Sequence, residues 1–325
     1  YRDPLLMETV KSIFEQKSGM FDVVVGIFEQ INKEDSLPVK HPEFYDKYRN
    51  DIRYKRIDPE YPDGAGWARA INALQILNED FYYQIDSHEV FDQNWDRELV
   101  KDYNLGVEKF GTDKVIITAS CKVFRVENGE VIKERHGPIT SKVKYFCFQD
   151  NWMLGPHGDY IDAQPDITPA IHICAGNFFT HTQWHRNVGL NGRVYFEGEE
   201  QIMTITSFAA GYYLCHPREL HAYHLNDSHN YITKQWFQPV IDMNNYSTNM
   251  KKTFAELHYV INSISDENLE LYRKYSGVDY KNRKIEKRAE KAEEFEEELK
   301  EEKEAEEEAE EEAEEEAEEA LDERE

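Results

Sequence analysis

Apolar and polar positions alternate along the first third of the chain with two periods in turn. Behind Pro4, the residues Leu5, Leu6, Val10, Ile13 and Phe14 share one face of a helix, and a proline suits its first turn. Phe21 to Phe28 (FDVVVGIF) is an unbroken β-branched and aromatic run, the pattern of a strand buried on both faces. The polar, proline-containing stretch from Asn32 to Pro62 reads as an excursion over a sheet edge. A helical period returns in Gly64 to Leu77, and Asp80 to Ile85 is the next strand. The pair repeats as a helix over Trp95 to Tyr103 and a strand over Lys114 to Thr118. This βαβα order predicts a mostly parallel sheet covered by helices.

Residues 119–168 break the alternation. Cys121 to Val126 and Val131-Ile132 flank an Asn128-Gly129 turn, which predicts a hairpin. Lys142 to Phe148 alternates as a further strand, and 151–168 reads as a Pro- and Gly-rich loop. Ile171 to Phe179 resumes the apolar run, Gly198 to Ala209 is helical, and Tyr212 to Cys215 is a short strand. Thr253 to Ile264 and Asn268 to Tyr275 close the domain as helices, so the expected division is a domain over 1–277 and a tail over 278–325. Lys281 to Lys291 is basic and helical in pattern, and Glu-Glu-Ala repeats then run to the end. Such a tail has almost nothing to bury and is expected to be solvated helix or disorder.

Charge changes this picture little once the tail is set aside. Residues 292–325 hold 22 acidic and 3 basic side chains, a net of −19 out of −27 for the whole chain, leaving −8 for the remainder. The mean hydropathy of −0.78 owes much to the same tail. An acidic chain without a basic patch is ill suited to gripping a nucleic-acid backbone. No window approaches the roughly 18 apolar residues of a membrane span. Cys121, Cys147, Cys174 and Cys215 are dispersed, which fits thiols in a reducing, cytoplasmic compartment.

Candidate chemistry concentrates where the third apolar run ends, at Gln84-Ile85-Asp86-Ser87-His88. Ligands in open α/β sheets sit beyond the carboxyl ends of strands. A carboxylate and an imidazole two residues apart there can bind one divalent cation, which bridges a diphosphate and offsets its growing charge as it leaves. An imidazole among oxygen ligands favours Mn2+ over Mg2+. The triplet alone is weak evidence, because Asp227-Ser228-His229 repeats it without a preceding strand.

The order GxxxAR (Gly64 to Arg69, with Gly64 as the first residue of the GAGWAR segment), strand, QIDSH and Asn94-Trp95-Asp96 resembles the cytosolic glycosyltransferases that attach α-linked GlcNAc to protein hydroxyproline. It is more distantly similar to the polypeptide GalNAc transferases, whose metal triplet is also Asp-x-His. Cys174 to Phe179 resembles the family's small-residue strand near the sugar, Phe196 to Glu200 its Gly-Glu-Glu motif, and Tyr223-His224-Leu225 the segment with a third metal ligand. The similarity runs from Tyr1 to about Phe237, interrupted by 119–168. It departs at Phe196, where relatives commonly carry Trp, at the inserted Glu197, and in the acidic Asn226-Asp227-Ser228.

The resemblance implies a GT-A fold that uses a UDP-sugar. Because Tyr1-Arg2-Asp3-Pro4 matches the segment after the family's first strand, that strand is expected to be missing and the chain to be a truncated one. Asp86, His88 and His224 become metal ligands, with His221 a rival to His224. Arg2, Arg69, Asp86, Ala175 and Gly176 become donor-binding residues. Arg69 would offer a guanidinium fork to the phosphates, or else form a salt bridge on its helix. Glu199 is expected to position a sugar or acceptor hydroxyl with Glu200 in support, the alternative being that both simply stabilise a helix N-terminus. Trp95 and Trp184 are expected in the core.

The expected activity is retaining transfer of a hexosamine, GlcNAc, from a UDP donor to a hydroxyl acceptor on a protein or glycan. A catalytically impaired GT-A module that binds a sugar nucleotide or glycan is the alternative. A zinc hydrolase is disfavoured, since no HExxH or equivalent spacing occurs.

Overall fold

A computed structural model describes residues 2–58, 64–134, 137–225 and 243–286. The repeat triplet at Asp227-Ser228-His229, the end of the matched stretch at Phe237 and the tail beyond Glu286 lie outside the described residues.

The chain opens with helix α1 (Leu6–Gln16), which buries Thr9, Val10, Ile13 and Phe14, so the helical face read from sequence is the buried one. Strand β1 (Val25–Gln30) follows, then the short helices α2 (Leu37–Lys40) and α3 (Pro42–Tyr48), and strand β2 (Ile52–Ile57). Within the expected excursion over 32–62, residues 31–51 form a crossover: β2 pairs in parallel with β1, in register from Val25 opposite Ile52 to Gln30 opposite Ile57. Its sequence IRYKRI hid the strand because only Ile52 is buried.

Helix α4 (Gly64–Ala73) leads to β3 (Phe81–Ile85) and β4 (Glu89–Phe91), and α5 (Trp95–Phe110) leads to β5 (Val115–Thr118), β6 (Lys122–Glu127) and β7 (Glu130–Lys133). A long antiparallel arm, β8 (Ile139–Phe148) and β9 (Leu154–Asp162), comes next, then β10 (Thr168–Pro169) and β11 (Asn177–His181). The loop expected over 151–168 is thus largely strand; Gly155, Pro156 and Gly158 lie within β9. The run 171–179 becomes strand only from Asn177. The short helix α6 (Trp184–Asn187), α7 (Glu199–Ala209), β12 (Tyr213–His216) and β13 (Ala222–Leu225) complete the centre. Helices α8 (Met243–Ser263) and α9 (Asp266–Ser276) and the strands β14 (Val278–Asp279) and β15 (Lys284–Ile285) close the described part.

Five strands form the central sheet in the order β10-β12-β5-β11-β3. β12 and β5 are parallel, while β10 runs antiparallel to β12 and β11 to both β5 and β3, so the sheet is mixed rather than mostly parallel as expected, with β3, β5 and β12 sharing one direction. All four residues of β5 are buried. Val115 and Ile117 belong to a core with Trp95, Leu99 and Tyr103 of α5, and Ile116 to one with Phe178, Trp184 and Met203 of α7. The sheet is thus covered on both faces, and Trp95 and Trp184 are core residues as expected.

The same three co-directional strands continue into a second sheet, ordered β4-β13-β6-β7. The joints are residues 86–88, 119–121 and 217–221, which together make a seam. The β8–β9 arm docks on that seam: Thr140 Oγ1 donates to the Pro217 carbonyl at 2.7 Å, and Ser141 Oγ to the Ser120 carbonyl at 3.0 Å. Val278 and Tyr280, beyond the expected tail boundary at 278, are buried in one core with α7, α8 and α9. Residues 281–286, read as the start of a helix, form a turn and β15.

Two glycines seat α4. A Cβ on Gly64 would lie 1.9 Å from the Tyr195 carbonyl oxygen, and one on Gly66 would lie 2.5 Å from that of Val194. At both positions the helix backbone rests directly on residues 194–195.

Candidate functional site

The seam brings together residues that are far apart in the chain. Asp86 and His88 leave β3 as it turns into β4, and His224 sits on β13, which pairs with β4 and puts His224 opposite Glu89. The ligating atoms of Asp86, His88 and His224 all lie within 4.8 Å of one another. His88 Nε2 is 3.0 Å from His224 Nε2, and His224 Nε2 is 3.3 Å from Asp86 Oδ2. Two ligands ~2.1 Å from one ion and at right angles to each other stand about 3 Å apart. The set therefore fits one divalent cation. His224, rather than the rival His221, completes the group; the His221 carbonyl instead accepts from Asp92 N at 2.8 Å.

Two neighbours fix these side chains. His88 Nδ1 donates to Asp3 Oδ2 at 2.7 Å, which leaves Nε2 with its lone pair toward His224. Asp3 also accepts from Ser87 Oγ at 2.7 Å and from Leu5 N at 2.9 Å. Burial alone would depress His88, but Asp3 and Asp86 outweigh it and raise its pKa. On the other flank Arg69 bonds both Asp86 and Glu199. Burial would raise the Asp86 carboxyl, yet Arg69 and His224 hold it far below the ordinary carboxylate range. Glu199, buried more deeply, stays raised despite Arg69.

A cavity of about 290 Å3 opens beside the triad. Of the residues expected from sequence, Asp86, Gly176, Glu200 and His224 line it. His88, Arg69 and Ala175 reach it through bonds to His224, Asp86 and Glu200, and Glu199 through Arg69. Arg2 stands apart at the end of β1, its N–H donating to the Gln30 carbonyl at 3.3 Å. A Cβ on Gly176 would come 2.7 Å from Asp86 Oδ2 and 3.1 Å from Glu89 Oε1, so only glycine lets that backbone lie against the carboxylates.

Sequence reasoning missed three residues here. Asp3 carries no local pattern and is recognised only by what it touches 85 residues away. Glu89 directly follows the triplet; it is fully buried, and burial and the Asp86 charge push its carboxyl well above the usual range. His172, the lone ionisable side chain between Ala170 and Ile173, offered a signal, since a single imidazole in an apolar run needs a partner.

The family model described as Glycosyltransferase (GlcNAc) matches residues 40–304. The chain belongs to that family. Among solved structures, the chain is similar to the crystal structure of GalNAc-T7 with UDP, GalNAc and Mn2+, at 14% identity and a TM-score of 0.57, covering 84% of this chain and 48% of that one. It thus spans about half the length of GalNAc-T7. A further match is S. aureus TarS 1-349, at 12% identity and a TM-score of 0.42, covering 85% of this chain and 76% of that one. No curated protein matches it in sequence. The fold is that of the GT-A glycosyltransferases, as the resemblance implied. Among the described residues, no helix is long and apolar enough to cross a membrane.

Proposed function

We propose that this chain moves GlcNAc from UDP-GlcNAc to a hydroxyl acceptor, with retention at the anomeric carbon. The reading rests on one observation above all: Asp86, His88 and His224 converge at the end of a sheet strand in a family of GlcNAc transferases. Asp86, His88 and His224 hold a divalent cation, with Mn2+ preferred for its tolerance of imidazole alongside carboxylate; Mn2+ and UDP accompany GalNAc-T7 in its crystal structure. When bound, the cation offsets the charge that develops on the departing diphosphate.

The chain's own residues do the rest. Arg69, pinned between Asp86 and Glu199, sets a fixed positive charge beside the phosphates. Ala175 and Gly176 bring backbone close to the sugar, and Glu199 keeps Arg69 in place. The hydroxyl acceptor is a protein side chain, by analogy with the hydroxyproline acceptor of the resembling enzymes. Cys121, Cys147 and Cys174 are thiols, in keeping with a cytoplasmic setting.

The decisive experiment is a panel of UDP-sugars with Mn2+ titration, on the full chain and on Asp86→Ala. We expect metal-dependent release of GlcNAc, reduced at least a thousandfold by the substitution, and undiminished turnover would overturn the assignment. UDP binding without turnover of any sugar would make the chain a sugar-nucleotide binding module instead.

A further inference from the structure

The cavity beside the triad has walls of different origin. Asp86, Glu89 and His224 face it from the seam, Glu200 and His172 from α7 and the segment before β11, and Val143 and Pro156 from the β8–β9 arm. Three carboxylates line it and no lysine or arginine does. The nearest guanidinium, Arg69, is already engaged by Asp86 and Glu199. A second anionic group next to a diphosphate would meet like charge here.

We propose that the arm-side end of this cavity is the acceptor subsite, that it takes a neutral hydroxyl-bearing group with an apolar flank, and that Glu200 receives the hydrogen bond of that hydroxyl. This rests on the donor reading above.

Glu200 is held for such a task. Its Oε1 accepts from Ala175 N at 2.8 Å, and its Oε2 faces His172 Nε2 at 3.3 Å. A carboxylate offers about four lone-pair sites, so two remain. Its side chain is 40% exposed, whereas that of Glu199, one residue earlier, is 5% exposed. His172 is buried, and its Nδ1 lies 2.9 Å from the Tyr145 hydroxyl. The Tyr145 hydroxyl also reaches the Ile171 carbonyl at 3.1 Å, so the ring is held from behind, and a proton on Nε2 donates to Glu200. Tyr272 stands behind, its hydroxyl 3.3 Å from that of Tyr145 and donating to the Ile171 carbonyl at 2.8 Å. Tyr145 belongs to β8, so the arm that supplies the apolar wall also orients the imidazole behind the carboxylate.

The wall is fixed rather than a moving lid. A Cβ on Gly158 would come 2.6 Å from Ser120 Oγ, so β9 lies flush against the seam, and Tyr160 donates to the Cys121 carbonyl at 2.5 Å. Glu89 Oε2, beside the same cavity, is fully buried and has no hydrogen-bond partner among the described residues.

Burial would raise the Glu200 carboxyl, but the His172 and Ala175 bonds lower it, so it accepts a hydrogen bond readily and keeps a proton poorly. In the transfer, the acceptor oxygen bonds to the anomeric carbon as the bond from that carbon to the β-phosphate oxygen breaks. The single hydrogen of that hydroxyl, held by Glu200 while the acceptor docks, turns to that phosphate oxygen as the bond breaks, so the proton leaves on UDP and Glu200 stays ionised.

The test uses the full chain with Mn2+ and UDP-GlcNAc, and two probes that differ in charge, glycerol and glycerol 3-phosphate. GlcNAc captured by each is measured against GlcNAc released to water. We expect glycerol to capture at least tenfold more than glycerol 3-phosphate at equal concentration. Glu200→Gln and Val143→Trp should each lower the ratio of glycerol capture to hydrolysis at least tenfold. Pro156→Trp, on the exposed side of β9, repeats the block should the buried Val143 substitution fail to fold. Equal capture of the two probes, hydrolysis with no capture of glycerol, or an unchanged ratio in Glu200→Gln and a folded blocking variant would overturn the subsite. Absence of both UDP binding and GlcNAc release in the unsubstituted chain is a different result: it overturns the donor reading, and the subsite falls with it.

Discussion

Two polar clusters border one cavity and are built on opposite principles. At the seam, the carboxylates of Asp3, Asp86 and Glu199 are separated by two imidazoles and a guanidinium, in a continuous chain of bonds from Asp3 through His88, His224 and Arg69 to Glu199. Beside α7, the hydroxyls of Tyr272 and Tyr145 lead through His172 to a single carboxylate, Glu200. In the first cluster each charge depends on its neighbours, and a cation can displace one contact without stranding the rest. In the second, a buried imidazole backed by two phenols locks one acceptor in place. The lesson is that the same residue types serve exchange or fixation according to what stands behind them.

The largest break in that comparison comes from Arg69→Ala. It strands two carboxylates in a poorly hydrated place, and removing one partner of a buried pair costs roughly 3–5 kcal/mol. Partial exposure of Arg69 and Asp86 places the expected loss at the lower end, about 3 kcal/mol by urea unfolding. A loss under about 1 kcal/mol would mean that the seam charges are solvated well enough not to need one another.

Asp3→Ala sharpens the contrast at the metal. Loss of the group that orients a ligating histidine typically lowers metal affinity about 10- to 100-fold, and calorimetry with Mn2+ should show that range, partly recovered in Asp3→Asn. The metal-free protein adds a pH signature. Burial alone would raise Asp3 and depress His88, and their mutual bond reverses both shifts. The lowered Asp3 contributes stability above its ordinary 3.8 that is lost as pH falls through its folded value. The raised His88 contributes stability that is full below 6.5 and lost as pH rises through its folded value. The difference in Tm between the native chain and Asp3→Ala should therefore be widest between about pH 4 and 6.5 and shrink above that window.

The smallest effect belongs to the second cluster. Tyr145→Phe removes one hydroxyl and leaves His172 Nδ1 without that partner, a loss of about 1–2 kcal/mol. Urea unfolding checks it, and a loss as large as that of Arg69→Ala would erase the distinction drawn between the clusters.

What the sequence made legible follows from how local each signal is. Phe81 to Ile85 is a compact apolar run closed by Asp86-Ser87-His88, so strand, turn and two of the three candidate ligands fall within eight residues. The central β5 was equally plain, because burial on both faces leaves no polar residue until Thr118. β2 was not, since an edge strand that exposes Lys55 and carries Arg53 and Arg56 looks like a loop. β9 was hidden by Gly155, Pro156 and Gly158, residues that usually punctuate strands but here press a hairpin against the seam. For the two neighbouring glutamates the sequence reading gave Glu199 the hydroxyl-positioning role and Glu200 the supporting one, whereas Glu200 is the one that lines the cavity. Successive positions on a helix point about 100° apart, and that rotation alone sends Glu199 to Arg69 and Glu200 to the cavity. Asp3 and His172 depended on contacts across the fold, which no spacing along the chain announces.

The bare backbone at the start of α4 works as a gauge block. Gly66 and Arg69 are three residues apart and share a helix face, and the surface on which that face rests runs on within a few residues to Glu199, the partner of Arg69. The guanidinium is thus set at its station by two main chains meeting with no side chain between them. Gly66→Ala would suit the helix itself, yet it would wedge the two surfaces apart and register at the far end of an arginine as a lost alignment.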